Sequence, residues 1–415
     1  MKIFNPRHFL RHIAPTVLED FVQSHPLGPH LAVDWALPEK ALVNALVAAI
    51  ENLQASLLED ITLTTDQKVA LEENLFRWNE DLRRAHITGT EAGAREFVLA
   101  MARDPVAQEH LQGLDPREQA LWMLAHHEQS FRDIELHLAF RAKTHGRSWK
   151  PSQIFPDLVP HLDQESLEAF KRDVAALYQK SGGGIGSHIE VSRYGTDGSI
   201  QFTLYVEGPI TAIAQFRKHD FKRIATRVAL ENALVYHPKS GVVETVVKGG
   251  AKNHAAVLTL FAKHLAKTEL KPEAITPSRF KLSVLNEGLL APKEDWSTQG
   301  IQKVRLRRAK FTPADQRNSA IQIEASPEVN REDAICVARD KLKVAHSFDS
   351  EFEMDRATLM VYTRDQQSSR EGHFSFDVYA SGSTTIKNLS HRNQVLAQCV
   401  MRSLGIVESP GAAAA

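Results

Sequence analysis

The stretch Ser181-Gly182-Gly183-Gly184-Ile185-Gly186-Ser187 divides the chain into two kinds of sequence. Upstream of it, apolar residues recur at helical spacing; downstream, short alternating runs are separated by turn residues. Four glycines in seven residues end a helix and give no side chain for packing, so the stretch reads as a flexible linker and as the domain boundary. A phosphate-cradling loop would need strand, glycines and then a helix N-terminus. Here the order is helix, glycines, strand.

On the upstream side, Leu42, Leu46, Ile50, Leu53 and Leu57 follow Pro38 at three- or four-residue intervals. Thr64-Thr65-Asp66-Gln67 has the form of a capping box and opens a helix through Leu71, Leu75, Trp78 and Leu82. Asp115-Pro116 supplies a cap and an N1 proline for a long helix running to about Lys143. Each stripe covers one face, so these helices pack on one another as a bundle. The stretch Gly146–Pro160 holds three prolines and reads as a connecting loop, followed by a helix over about 164–180.

On the downstream side, 188–192 and 200–206 flank Gly195-Thr196-Asp197-Gly198, a hairpin signal. Three blocks of strand, strand and helix then follow, over roughly 225–267, 301–345 and 352–407. The blocks share no residue-by-residue alignment, so they are an architectural echo. The predicted fold class is α+β: a helical bundle-like domain over 1–182, then a hairpin-rich α+β region over 187–415, with 187–290 and 291–415 as candidate subdomains. Helices cover one face of the sheet in this reading, and the other face is left for binding.

Charge divides along the same line. Residues 1–180 carry 19 Lys and Arg against 26 Asp and Glu, a net −7, whereas 181–415 carry 31 against 25, a net +6. Halves of opposite sign suggest different partners. The charge-free stretch Phe21–Val33 is too short and too rich in Pro and His to span a bilayer, and no signal-type apolar run follows Met1. With only Cys336 and Cys399, neither a disulfide framework nor a CxxC metal site is available. The expectation is a cytoplasmic protein without a membrane partner, metal or cofactor.

Catalytic signatures fail one at a time. GxSxG, HExxH and P-loop patterns are missing. Lys248-Gly249-Gly250-Ala251-Lys252 has the polarity of an anion-binding turn but reads as an ordinary one. His127 and Glu128 fall at the edge of an apolar stripe and read as a buried hydrogen-bonded pair; Asp133 and His137 read as a surface pair. Glu269-Leu270-Lys271 imitates a nuclease ExK without a strand or a partner acid, and the two cysteines read as small buried hydrophobes.

Two basic clusters remain. One is Arg217, Lys218, His219, Lys222, Arg223 and Arg227, interleaved with Phe216 and Phe221. The other is Lys303, Arg305 and Arg307, alternating with Val304 and Leu306, then Arg308 and Lys310. Alternation at period two sets three cations about 6–7 Å apart, close to the phosphate repeat of a nucleic-acid strand. The function read from the sequence is therefore a non-enzymatic nucleic-acid-binding or accessory protein, DNA and RNA unresolved. Lys303, Arg305, Arg307 and Arg308 form its basic sheet face, Arg217, Lys222 and Arg223 extend the track, and the acidic helical half engages a protein partner. The alternatives are a ligand-sensing or catalytic protein using an interdomain cleft, and a protein–protein scaffold.

Overall fold

A computed structural model of the chain describes residues 4–59, 63–144, 148–194, 198–217, 220–275, 280–286, 288–289, 296–313, 319–325, 333–340, 352–364 and 371–407. The fold is α+β, with helices toward the N-terminus and antiparallel sheets toward the C-terminus. Two compact units partition it, Met1–Ala274 and Ile275–Ala415.

The first unit opens with helices α1 (Pro6–Leu10), α2 (Pro15–Ser24), α3 (Glu39–Glu59), α4 (Thr65–Thr88), α5 (Glu91–Ala100), α6 (Pro105–Gln112), α7 (Pro116–His126) and α8 (Glu128–Lys143). Side chains of Asn5, Thr64, Thr90, Asp104 and Asp115 cap helix starts by accepting otherwise unpaired N–H groups. Thr64 with Gln67 forms the expected capping box. Apolar stripes converge on Leu18, Phe21, Trp78, Leu82, Phe97, Leu121 and Phe131. The long helix expected from Pro116 to Lys143 is two helices, because His127 leaves helical geometry at φ −137° and ψ 52°. That break frees α8 to lie on the sheet that follows.

One charged network is buried in the bundle. Arg84 bridges Asp81 (3.2 Å) and Glu135 (2.8 Å), and His25 lies 3.6 Å from Asp81. The Leu27 N–H donates to His25 Nδ1, which leaves Nε2 to carry the ring proton toward Asp81. Burial works against ionisation of Asp81, but the adjacent His25 ring and the Arg84 and Arg77 charges outweigh it and hold the carboxyl below its ordinary value.

The unit continues with β1 (Trp149–Gln153), α9 (Gln164–Ala176), β2 (Ser187–Tyr194), β3 (Ser199–Arg217), β4 (Asp220–His237), β5 (Val242–Val246), α10 (Ala251–Phe261) and β6 (Glu273–Ala274). Its six-stranded sheet has the order β2-β3-β4-β5-β1-β6. The stretch that reads as a connecting loop thus contains β1, which pairs with β5 over its whole length. Pro151 concealed it. A proline is tolerated there because β6 reaches only Ser152 and Gln153, leaving β1 close to an edge at Pro151.

Both faces of this sheet are covered. On one, Phe202, Leu204, Leu234, Tyr236 and Val243 pack against Phe170 and Val174 of α9 and Val257 and Phe261 of α10. On the other, Ala233, Val235 and Val246 pack with Phe140 of α8. Gln201 donates to the Leu136 carbonyl of α8 at 3.1 Å, and Lys143 reaches Glu231 at 2.5 Å. The open face expected from the sequence does not exist in this sheet.

Residues 181–187 lie within the first unit, between α9 and β2, and both of these belong to the same layers. They are not a loose tether. Gly184 N–H donates to the Glu207 carbonyl (2.7 Å), and Glu207 N–H donates to the Gly186 carbonyl (2.8 Å). Gly184 adopts φ +76°, and a Cβ there would lie 2.2 Å from the Ala175 oxygen. Gly182 has φ +77° with nothing near that position.

The second unit contains β7 (Ile301–Pro313), β8 (Ile321–Glu324), α11 (Ala334–Asp340), β9 (Phe352–Arg364), β10 (Glu371–Tyr379) and α12 (His391–Ser403). Its sheet has the order β10-β9-β7-β8, so the last two strand–strand–helix blocks join through β7 and β9. Leu306, Ala309, Leu359, Val361 and Phe376 form its core with Ile335 of α11 and Val400 of α12. Cys336 and Cys399 sit on those two helices and are partly exposed, which corrects their expected burial.

Two measurements test these placements. Gly184→Ala is expected to cost about 2–3 kcal/mol in urea unfolding, against about 1 kcal/mol for Gly182→Ala, because both strain a positive φ but only the first also collides. Asp81→Asn is expected to cost about 3 kcal/mol at neutral pH by leaving Arg84 under-compensated. Because folding lowers the Asp81 pKa, its contribution is full above the unfolded value and is lost as pH falls through the folded one, so the gap between wild type and variant narrows on acidification.

Candidate nucleic-acid interface

Strands β3 and β4 outrun the sheet that holds them. β2 pairs with β3 only as far as Val206, and β5 pairs with β4 only from Ala233. Beyond Glu207 the two strands continue alone as a ribbon of backbone pairs from Ile210 opposite Arg227 to Arg217 opposite Asp220. At its base Gly208 and Pro209 oppose the single residue Val228, a bulge that re-aims the strand. Gly208 is required there, since a Cβ would fall 2.5 Å from the Val228 carbonyl oxygen. Pro209 lacks an N–H and fits the unpaired position.

The base is held by charge as well as by backbone. Arg227 Nε meets Glu207 at 3.1 Å, and its Nη1 donates to the carbonyls of Gly182 (2.6 Å) and Gly208 (3.3 Å). The other Glu207 oxygen accepts the Gly186 N–H at 2.7 Å. Arg227, one of the cations counted in the first basic cluster, therefore serves the fold.

Outward from there the ribbon is exposed. Lys222 and Arg223 are both open to solvent. So are Ile210 (66% exposed) and Phe221 (57%). Opposed residues share a face. One face carries Ile210 with Arg227, Ala212 with Ala225, Ala214 with Arg223 and Phe216 with Phe221; the other carries Thr211 with Thr226, Ile213 with Ile224 and Gln215 with Lys222. Arg217 lies on the last rung and its side chain is outside the described set; Lys218 and His219 lie outside the described residues.

The second basic cluster meets a different environment. A bulge between Leu306 and Arg308 leaves Arg307 unopposed, which breaks the period-two alternation read from the sequence. The residues sharing one face are consequently Lys303, Arg305, Arg308 and Lys310, opposite Tyr362, Met360, Thr358 and Arg356. Acids neutralise most of that row. Glu324 accepts from Arg308 at 2.8 and 3.1 Å and from Arg307 at 3.4 Å, Asp355 lies 3.8 Å from Lys310, and Asp377 lies 2.5 Å from Arg356. The hydrogen bond from Arg308 holds the Glu324 carboxyl below its ordinary value, with burial opposing and the Arg308 and Arg307 charges adding. Arg305 is only 1% exposed and Met360 and Thr358 are buried beside it, so the centre of this face is closed to phosphates. Lys303 is exposed at its end.

The remaining polar candidates resolve into structure. His127 is the junction residue between α7 and α8 and is not buried in a stripe; Glu128 is exposed and pairs with Arg77 at 3.4 Å. His137, expected at the surface, is buried with its ring 3.7 Å from that of Tyr194, while Asp133 bonds to Gln129. The Lys248 carbonyl accepts from Tyr178 and Asn253, and the Lys248 N–H donates to Asn232, so the turn before α10 is a fixed junction.

Sequence reasoning missed one arrangement of catalytic appearance. Ser199 Oγ lies 2.8 Å from His237 Nδ1, His237 Nε2 lies 3.2 Å from Glu244, and Trp149 donates to the same carboxylate at 3.1 Å. Strand register alone brings these residues of β3, β4, β5 and β1 together, so no spacing rule reveals them. A nucleophile must be reachable, and Ser199 is 1% exposed. The set ties four strands together. Among the described residues no group of three or more His, Cys, Asp or Glu is placed to hold a metal ion, and no helix is long and apolar enough to cross a membrane.

No family model and no curated protein sequence matches this chain.

Arg305→Ala is expected to destabilise the protein by about 2–3 kcal/mol, since a fully buried long side chain is being removed. Thermal unfolding reads that loss. Affinity for nucleic acid, measured below the melting temperature, is expected to stay within twofold of wild type.

Proposed function

We propose that this chain binds nucleic acid without acting on it chemically, and that the β3–β4 ribbon is the element that makes contact. The observation that supports this reading is the exposure of Lys222 and Arg223 on strands that nothing else in the sheet covers. Residues 209–229 carry five Lys and Arg against the single Asp220. A polyanion gains by releasing condensed counterions to such a surface, and contacts of this kind position a backbone without reading bases.

The sheet of the second unit has a smaller part in this proposal. Taken by itself, that sheet offers a phosphate contact at Lys303 on its exposed end, while Arg307 and Arg308 are held by Glu324. The acidic helices of the first unit discourage nonspecific coating by nucleic acid and offer a basic protein partner a surface. A protein–protein scaffold without nucleic-acid binding is the reading that takes over if titrations fail.

The test uses the whole chain, because a fragment starting at 185 would remove β1 and α9 from the first sheet and its core. Single- and double-stranded DNA and RNA are titrated at two salt concentrations. On duplex DNA each neutralised phosphate contributes about 0.9 to the slope of log affinity against log salt. Lys222→Ala with Arg223→Ala is therefore expected to flatten that slope by about 1.8 and weaken binding at low salt. A slope unchanged by the double substitution removes the ribbon from the interface; no binding to any of the four nucleic acids at low salt rejects the function.

A further inference from the structure

Resting on that reading, we infer that the ribbon prefers single-stranded nucleic acid, DNA or RNA, with one base stacked on the exposed ring of Phe221 and its phosphate on Arg223. The face shared by these two residues carries the argument. Its rungs run from Ile210 opposite Arg227, through Ala212 opposite Ala225 and Ala214 opposite Arg223, to Phe216 opposite Phe221. Ile210 is 66% exposed and Phe221 is 57% exposed, so the face rises at both ends over a floor of alanines. The two rises are about 20 Å apart at about 3.4 Å per residue. Apolar surface left in water gains by being covered, and the phosphate exterior of a duplex offers little to cover it with.

The face of a base is the surface that fits. In a duplex each base is covered by its neighbours, so a ring reaches a base face only by prising a step apart, which costs at least as much as one stack returns. In a single strand the base faces are already open. Stacking on an aromatic ring accepts any base, which agrees with contacts that do not read sequence. Arg223 follows Phe221 by two residues on the same face, about 7 Å along the strand. It is exposed, with no hydrogen bond or ion pair among the described residues. A guanidinium there is placed for the phosphate of the stacked nucleotide, and its planar fork suits the phosphate oxygens. The short side chains of Ala214 and Ala225 leave the next nucleotide room along the floor. Lys222, opposite Gln215 on the other face, adds charge that draws the strand to the ribbon.

The whole chain is titrated against ligands of equal length: oligothymidine, oligouridine, a mixed-sequence DNA duplex, and an abasic strand that keeps sugar and phosphate but has no bases. The expected result is binding to oligothymidine and oligouridine at least about tenfold tighter than to the duplex or the abasic strand. Phe221→Ala is expected to weaken oligothymidine binding about tenfold, to leave the abasic strand within about twofold, and to leave the salt slope unchanged because no charge is lost. Phe221→Trp keeps a ring and is expected to hold the affinity within about threefold. Lys222→Ala with Arg223→Ala is expected to weaken both strands and to flatten the slope on oligothymidine by about 1.4, at about 0.7 per phosphate. A duplex bound as tightly as the single strands, an abasic strand bound as tightly as the intact one, or equal losses from Phe221→Ala on both strands overturns the stacking assignment while leaving nucleic-acid binding intact. No binding to any nucleic acid overturns both readings, and binding to anionic phosphatidylserine vesicles in its place would move the ribbon to a lipid surface.

Discussion

The ion pair between Glu207 and Arg227 marks the point where the first sheet stops being a core and becomes a ribbon. On the inner side of that pair, β3 and β4 are buried on both faces, between α9 and α10 on one and α8 on the other. On the outer side neither strand has a second strand partner among the described residues. A pair of strands entering solvent needs its direction set at the root, since a two-stranded hairpin is only marginally stable by itself. The bulge at Gly208-Pro209 sets the direction, and the Gly182–Gly186 segment holds Glu207 and Arg227 in place. Only glycine admits this clasp, because Gly183 and Gly184 lie against backbone carbonyls of Glu207 and Ala175.

Cations of similar local sequence have opposite fates in the two sheets. In the second, Glu324, Asp355 and Asp377 are brought opposite Arg308, Lys310 and Arg356, and the face becomes a lattice of compensated charge. Exposed pairs of this kind contribute at most about 1 kcal/mol each, but they leave little net field to attract an anion. On the ribbon, Arg227 is paired with Glu207, but Lys222 and Arg223 are exposed with no ion pair among the described residues, so their charge stays uncompensated. Charge density in the sequence is therefore a poor guide to binding until the acids are located.

Much of the architecture could be read directly from local signals. Thr64 with Gln67, the Asp115-Pro116 start and the three strand–strand–helix blocks all appear where their residues place them, because capping and side-chain periodicity act within a few residues. Signals failed where one residue outweighed the pattern. Pro151 hid a strand, His127 split a helix that its stripe had continued, and the glycines of 182–186 read as a tether when they are a clasp.

The sequence by itself determined the α+β class, the helix starts and the two basic clusters. Only the tertiary structure decided which face of each sheet is covered, which arginines are paired, and that β3 and β4 run on past their neighbours. The reason is one of range. Periodicity and capping are local, whereas burial of Arg305, pairing of Arg308 with Glu324 and the meeting of Ser199 with Glu244 depend on strand register. A single bulge at Arg307 changes that register, and it moves every later side chain to the other face.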